Sequence, residues 1–220
     1  MKFNFKIFFV IMAMLLFRGI VFAQIPVEVF VGHKKATADI MFFKFLKNKE
    51  RNNSKFLFFN RNRASIDYAM TKTTNLPQFG FTEAISYNHE NLKGFAPVIV
   101  ASILNKGVYP KAGIQFAKIK KEYTIFSWLV TETLKEPNID FFFLARYTPK
   151  LTEKLNLFSQ VELVNAFPTV AQNTFSFTQR FRLGLKVKEF QFGAGLDLSQ
   201  LGREDFITTE NFGGFLRYEF

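Results

Sequence analysis

The chain has 220 residues, 48% of them apolar and 18% aromatic, with 32 Phe, a formal charge of +11 and no cysteine. Without cysteine there is no disulfide framework and no thiolate metal site, so stability must come from packing and backbone hydrogen bonding. Beyond residue 24 the longest uninterrupted apolar stretch, Phe95 to Ala101, is far too short for a transmembrane helix, which needs about 20 residues.

In chain order, Met1 to Ala23 carries Lys2 and Lys6, then the apolar run Ile7 to Phe17, then Val21-Phe22-Ala23 ahead of Gln24. That is the build of a secretory signal peptide, expected to be cleaved after Ala23 and left out of the fold. Gln24 rather than Cys at the cleavage site gives no sign of a lipid-anchored N-terminus. Subtracting Lys2, Lys6 and Arg18 from +11 leaves +8 on residues 24–220, a surplus that suits anionic neighbours such as lipid phosphates or acidic solutes. Nucleic acid is not an expected partner for an exported chain in which no basic run exceeds three residues.

From Pro26 onward, short runs of alternating polarity are separated by clusters of Asn, Lys, Gly, Glu and Pro, the pattern of consecutive antiparallel strands in a single domain. A hairpin is expected over Thr37 to Lys47 and Ser54 to Tyr68, around a polar turn at Arg51-Asn52-Asn53. Its second strand puts Arg61, Arg63, Ser65 and Asp67 on one side and Phe56, Phe58, Ala64, Ile66 and Tyr68 on the other. Asn60 and Asn62 fall on that apolar side, which suggests a bulge or a contact with protein. Further strands read at Phe79 to Asn88, Phe95 to Leu104, Ala112 to Lys120 and Tyr123 to Thr133, their two faces not distinguished; Glu83, Lys118 and Glu132 are expected to point inward or to lie near an end. Ile139 to Tyr147 carries Asp140 and Arg146 on one face, and Lys154 to Asn165 carries Asn156, Gln160 and Glu162, the pattern being diluted by Phe142, Leu144 and Phe158.

The alternation is cleanest near the C-terminus. Phe175, Phe177, Phe181, Leu183, Leu185 and Val187 alternate with Ser176, Thr178, Arg180, Arg182, Gly184, Lys186 and Lys188, and only Gln179 breaks the apolar face. After a turn at Lys188-Glu189, Phe190, Phe192, Ala194, Leu196 and Leu198 alternate with Gln191, Gly193, Gly195, Asp197 and Ser199. The last segment sets Phe212, Gly214, Leu216, Tyr218 and Phe220 against Gly213, Phe215, Arg217 and Glu219 up to the final residue.

Here the chain resembles bacterial outer-membrane β-barrel proteins, whose last strand typically ends in Phe with an aromatic two residues earlier. The resemblance implies that Phe212, Leu216, Tyr218 and Phe220 form the signal read by the barrel-assembly machinery, that the apolar faces meet membrane lipid and lipopolysaccharide, and that the polar faces line a lumen. The expected fold is all-β, a transmembrane antiparallel β-barrel over residues 24–220 behind a signal peptide over 1–23. Both ends of such a barrel lie in the periplasm, so the strand number is even, and Val27 to His33 joins the others to make about 12, with 10 as the alternative. External loops are then expected at Met70 to Gln78, Asn105 to Lys111, Leu134 to Asn138, Ala166 to Gln172 and Gln200 to Glu210. The periplasmic turns, at Arg51, Leu92, Lys121, Pro149 and Lys188, are expected to be mostly shorter.

A lumen of this size lies between a side-chain-filled one and a wide aqueous channel. Its expected lining is Arg61, Arg63, Arg146, Glu162, Arg180, Arg182, Lys186, Asp197 and Arg217, with Asp140 and Glu219. That excess of cations favours passage of small polar or anionic solutes through a narrow porin-like channel. The alternative is a non-conducting barrel in which these charges pair across the lumen and the protein serves as a structural or interaction partner in an outer-membrane complex. In size alone the chain is also similar to nucleoside-specific channel proteins. An outer-leaflet lipid hydrolase is not favoured, because His33 and His89 are the sole histidines and neither has a Ser at local spacing. No catalytic residue, metal site or cofactor is expected. Tyr68, Phe79, Tyr87, Tyr109, Tyr123, Tyr147, Phe206 and Tyr218 read as interfacial girdles, and the lone Trp128 argues against a sugar-binding aromatic platform.

Overall fold

The computed structural model describes residues 25–69, 78–104, 107–134 and 138–220. The signal peptide expected over 1–23 and most of the loop expected at Met70 to Gln78 lie outside them. Among the described residues twelve strands close into one barrel: β1 (Pro26–Gly32), β2 (Lys35–Lys47), β3 (Asn53–Asp67), β4 (Gln78–Tyr87), β5 (Phe95–Leu104), β6 (Gly107–Ile119), β7 (Tyr123–Glu132), β8 (Asn138–Tyr147), β9 (Asn156–Pro168), β10 (Phe175–Val187), β11 (Phe190–Gly202) and β12 (Phe206–Glu219). Every strand pairs antiparallel with its neighbours in sequence, and β1 closes the ring on β12, from Pro26↔Glu219 to Gly32↔Gly213. The strand added to make the number even is therefore the closing strand.

The alternation has a physical reading at each step. On β10 to β12 the positions Phe181, Leu183, Phe192, Phe212 and Leu216 point outward while Arg182, Gln191, Asp197 and Arg217 are buried inside. The outer wall carries large apolar side chains exposed well beyond half, such as Ile99 (65%), Ile114 (61%) and Leu183 (61%), a belt far larger than soluble proteins present. Tyr68, Phe79, Tyr87, Tyr147 and Phe206 sit exposed near strand ends, as girdle residues should. Tyr109 does not belong with them: it shares the inward set of β6 with Lys111 and buried Gln115 and lines the lumen.

At the seam, Gly213 faces Gly32, and a Cβ on Gly32 would collide with the Asn211 side chain. The missing Cβ lets the buried Asn211 amide accept from Lys34 N (2.8 Å) and Lys35 N (3.2 Å) and donate to Lys35 O (3.0 Å), tying the β1–β2 turn to β12. The two-residue hairpin at Lys188-Glu189 holds Lys188 at φ 53, a left-handed conformation that glycine adopts more cheaply.

Three local expectations are corrected. No bulge underlies Asn60 and Asn62, because the β2–β3 register runs unbroken from Lys35↔Asp67 to Phe45↔Leu57 and shifts only beyond it, at Lys47. Glu83, sixth of ten residues in β4, points outward from the middle of the wall and accepts a hydrogen bond from Asn60 Nδ2 (3.3 Å); Lys118 also faces outward, near the end of β6, and Glu132 faces inward. Finally, connections at the end that carries the termini are not the shorter set. The 148–155 connection there is longer than 203–205 at the opposite end, because Gln200↔Thr208 and Leu201↔Ile207 extend the last hairpin through a segment expected to be loop.

Candidate functional site

The lumen is filled at its waist by two different kinds of packing. On the side of β1 to β3 and β8 to β12, inward side chains form a charge lattice. Arg61 on β3 reaches Glu162 on β9, six strands away in a ring of twelve and so directly across the barrel. Its Nη1 donates to Glu162 Oε1 (2.8 Å) and its Nη2 to Oε2 (3.0 Å), while Nε and Nη2 also donate to Asp39 (3.2 and 2.5 Å). Arg180 pairs with the same Glu162. Arg182 donates to Glu28 Oε1 (3.0 Å) and Asp197 Oδ1 (2.7 Å), and its guanidinium lies 4.0 Å from the centre of the Phe30 ring, in space kept open by the missing Cβ of Gly195.

Toward the terminal end the lattice continues through Gln160, whose Oε1 accepts from Arg146 Nε (2.9 Å) and Arg217 Nη1 (3.0 Å). Lys186 closes it on Glu219 (2.5 Å). Among the described residues Arg63 has only long ion contacts, 3.8 Å to Asp39 and 4.0 Å to Asp197. In this lattice seven cations (Arg61, Arg63, Arg146, Arg180, Arg182, Lys186, Arg217) meet five carboxylates (Glu28, Asp39, Glu162, Asp197, Glu219). Burying so many charges is tolerable because most have an opposite charge within hydrogen-bonding reach.

The other side, built by β2 to β8, is apolar. Phe59 stacks on Phe126 (5.3 Å between centroids, 8° between planes) and meets Trp128 edge-on (5.0 Å), and Phe43 and Phe142 complete the cluster. Leu57, Val98, Val100 and Leu144 are buried with them. Because β3 and β7 lie four strands apart, Phe59 and Phe126 also meet across the lumen rather than along its wall. Arg61 joins the two halves, its guanidinium 5.9 Å from the Phe142 ring.

Above and below this waist are two cavities that share no lining residue. One, of about 440 Å³, opens at the end opposite the termini and is lined by Phe59, Arg61, Lys111, Trp128, Glu132 and Asp140 among others. The second, of about 620 Å³, opens at the terminal end among Lys121, Arg146, Lys150, Glu153 and Lys186.

All eleven residues expected on the lumen wall point inward, ten of them into a packed lattice rather than along an open path, while Asp140 pairs with Lys111 in the cavity above it. Sequence reasoning missed Glu28 and Asp39, the lattice's other acids. Glu28 stands between Val27 and Val29 and Asp39 between Ala38 and Ile40, the same polar-between-apolar signal that marked Arg182 between Phe181 and Leu183. It also missed the apolar half, apart from Phe142 and Leu144; Phe158 packs instead against Phe215 on the charged side. The two histidines are not brought together: His33 contacts Phe212 in the β1–β2 turn, and His89 Nδ1 accepts from Asn91 N (3.3 Å) to cap the 3-10 turn Glu90–Leu92 at the other end. Among the described residues no group of three or more His, Asp or Glu is arranged to hold a metal ion.

No family model and no curated protein matches the chain. Solved structures do. The chain is similar to the KdgM porin, with a TM-score of 0.50 at 10% identity over 90% of this chain and 99% of that one. The barrel fold is shared with a porin. A structure of the NanC porin aligns with a TM-score of 0.47 at 7% identity over 90% of this chain and 99% of that one. At such identities the likeness is one of fold, and it brings no residue correspondence with it.

Proposed function

We propose that this chain is an outer-membrane barrel that keeps its lumen shut at the waist and receives small solutes in the cavity at its outer end. The observation that carries this is the Arg61–Glu162 bridge beside the Phe59–Phe126 stack, two contacts that cross the lumen and leave separate cavities at its ends. The apolar belt supports a bilayer as the surrounding medium, with the end bearing the termini on the periplasmic side. In this proposal residues 1–23 direct export, and the outward face of β12, with Phe212, Leu216, Tyr218 and Phe220, is offered to the barrel-assembly machinery. Lipid and lipopolysaccharide surround the wall.

Liposome swelling tests it. Vesicles holding the folded barrel should swell in small sugars and amino acids no faster than empty vesicles; swelling at the rate of an open porin would overturn the proposal. One observation favours a second reading, a narrow anion-passing channel. Arg146 hydrogen-bonds Gln160 and forms no ion pair among the described residues, leaving positive charge at the waist that a passing anion could use. Anion-selective current that Arg146→Gln reduces would establish that alternative.

A further inference from the structure

The outer cavity carries an unmet demand of a definite sign. Glu132, the last residue of β7, is only 7% exposed and faces the cavity, yet its carboxylate has no hydrogen bond or ion pair among the described residues, and Oε1 is sealed from solvent. Asn138 Oδ1, on the same wall, is likewise buried without a donor. A buried carboxylate with no donor is costly in the empty protein, and a bound donor removes that cost.

Neither cation of the cavity's described lining meets the demand. Lys111 lies directly opposite Glu132 in the β6–β7 register but gives its ammonium to Asp140, so one ammonium stands among two carboxylates. Arg61, at the floor, is held by Asp39 and Glu162. The remaining floor is the π surface of Phe59, Trp128 and Phe142, which attracts an ammonium electrostatically and packs against an apolar body. We infer that the outer cavity is a binding site for small organic ammonium compounds, a primary amine on an apolar or aromatic body, with Glu132 and Asn138 taking the ammonium hydrogens and Trp128 facing the body. A volume of about 440 Å³ suits such a molecule. The site thus opposes the charge of the chain as a whole, which is +11. The inference rests on the proposal that solutes are received at the outer end, but it does not require the waist to be closed.

Trp128 is the one tryptophan of the chain, so its fluorescence reports on this cavity alone. The refolded barrel in detergent would be titrated with 2-phenylethylammonium, and separately with phenylacetate of similar shape and opposite charge. A saturable change with the ammonium and none with the carboxylate is expected. Glu132→Gln should weaken binding at least tenfold, with retained heat-modifiable gel mobility showing that the variant is folded. Lys111→Met, which frees Asp140 from its ammonium, should tighten binding several-fold and decides the matter if Glu132→Gln does not fold. No saturable response to the ammonium, an equal response to phenylacetate, or affinity unmoved by both substitutions would overturn the inference. Because the readout is fluorescence without a bilayer, its failure is separable from a failure of the closed-waist proposal, which transport measurements read.

Discussion

The two halves of the waist fill the same barrel by opposite physics. The apolar half holds itself by ring packing, where each group meets many neighbours and none depends on a single partner. The charged half depends on particular pairs: Glu162 alone takes Arg61 from across the lumen and Arg180 from the next strand. The apolar half should therefore yield gradually to changes of shape, and the charged half abruptly to loss of one charge.

The largest effect is expected where the lattice converges. Glu162→Gln keeps the shape but removes the charge that Arg61 and Arg180 share, and should destabilise the barrel by about 3 kcal/mol, read from urea-dependent folding into vesicles. A loss within about 0.5 kcal/mol of wild type would show that the lattice is not holding the waist. On the other side, Phe126→Leu changes a fully buried ring to a smaller apolar shape and should cost only about 1 to 1.5 kcal/mol in the same assay. If the two substitutions cost the same, the contrast between the halves fails.

The wall outside the waist sharpens the comparison, since there a charge has no lattice. Glu83 projects outward from the middle of β4 with Asn60 as its only hydrogen-bond partner among the described residues. Glu83→Ala should stabilise the folded barrel by about 1 kcal/mol, because a carboxylate at mid-membrane depth is unfavourable though less so than a cation. A less stable variant in the same vesicles would mean that Glu83 faces something other than lipid. The smallest effect belongs to the hairpin: Lys188→Gly relieves a left-handed φ of 53 and should raise stability by roughly 0.5 kcal/mol, seen as a higher temperature for conversion of the folded gel band.

How far the sequence could be read follows from the same contrast. Strands β10, β11 and β12 were legible because each has one apolar and one polar face, and their inward Arg180, Arg182, Asp197 and Arg217 lie where alternation puts them. The closing strand β1 followed from the need for an even number rather than from its own pattern. Strands β5 and β7 have apolar residues on both faces, Val98 and Val100 inside with Ile99 outside, and Phe126 and Val130 inside with Leu129 outside, so alternation carried no sign of direction. What no local pattern encodes is contact across the lumen. That Arg61 meets Glu162, or Phe59 meets Phe126, depends on the barrel's diameter and register, so alternation could not choose between an open lining and charges paired across the lumen. Glu132 was expected to point inward or to lie near an end; its lack of a partner among the described residues follows from Lys111 pairing with Asp140 instead, which no local pattern encodes.

Single-channel current in a planar bilayer tests the seal most directly, comparing the wild-type barrel with one carrying Phe59→Ala and Arg61→Ala together. The wild type should be silent or nearly so while the double variant, with both cross-lumen contacts removed, shows discrete steps. Steady wild-type steps as large as those of the variant would contradict a closed waist.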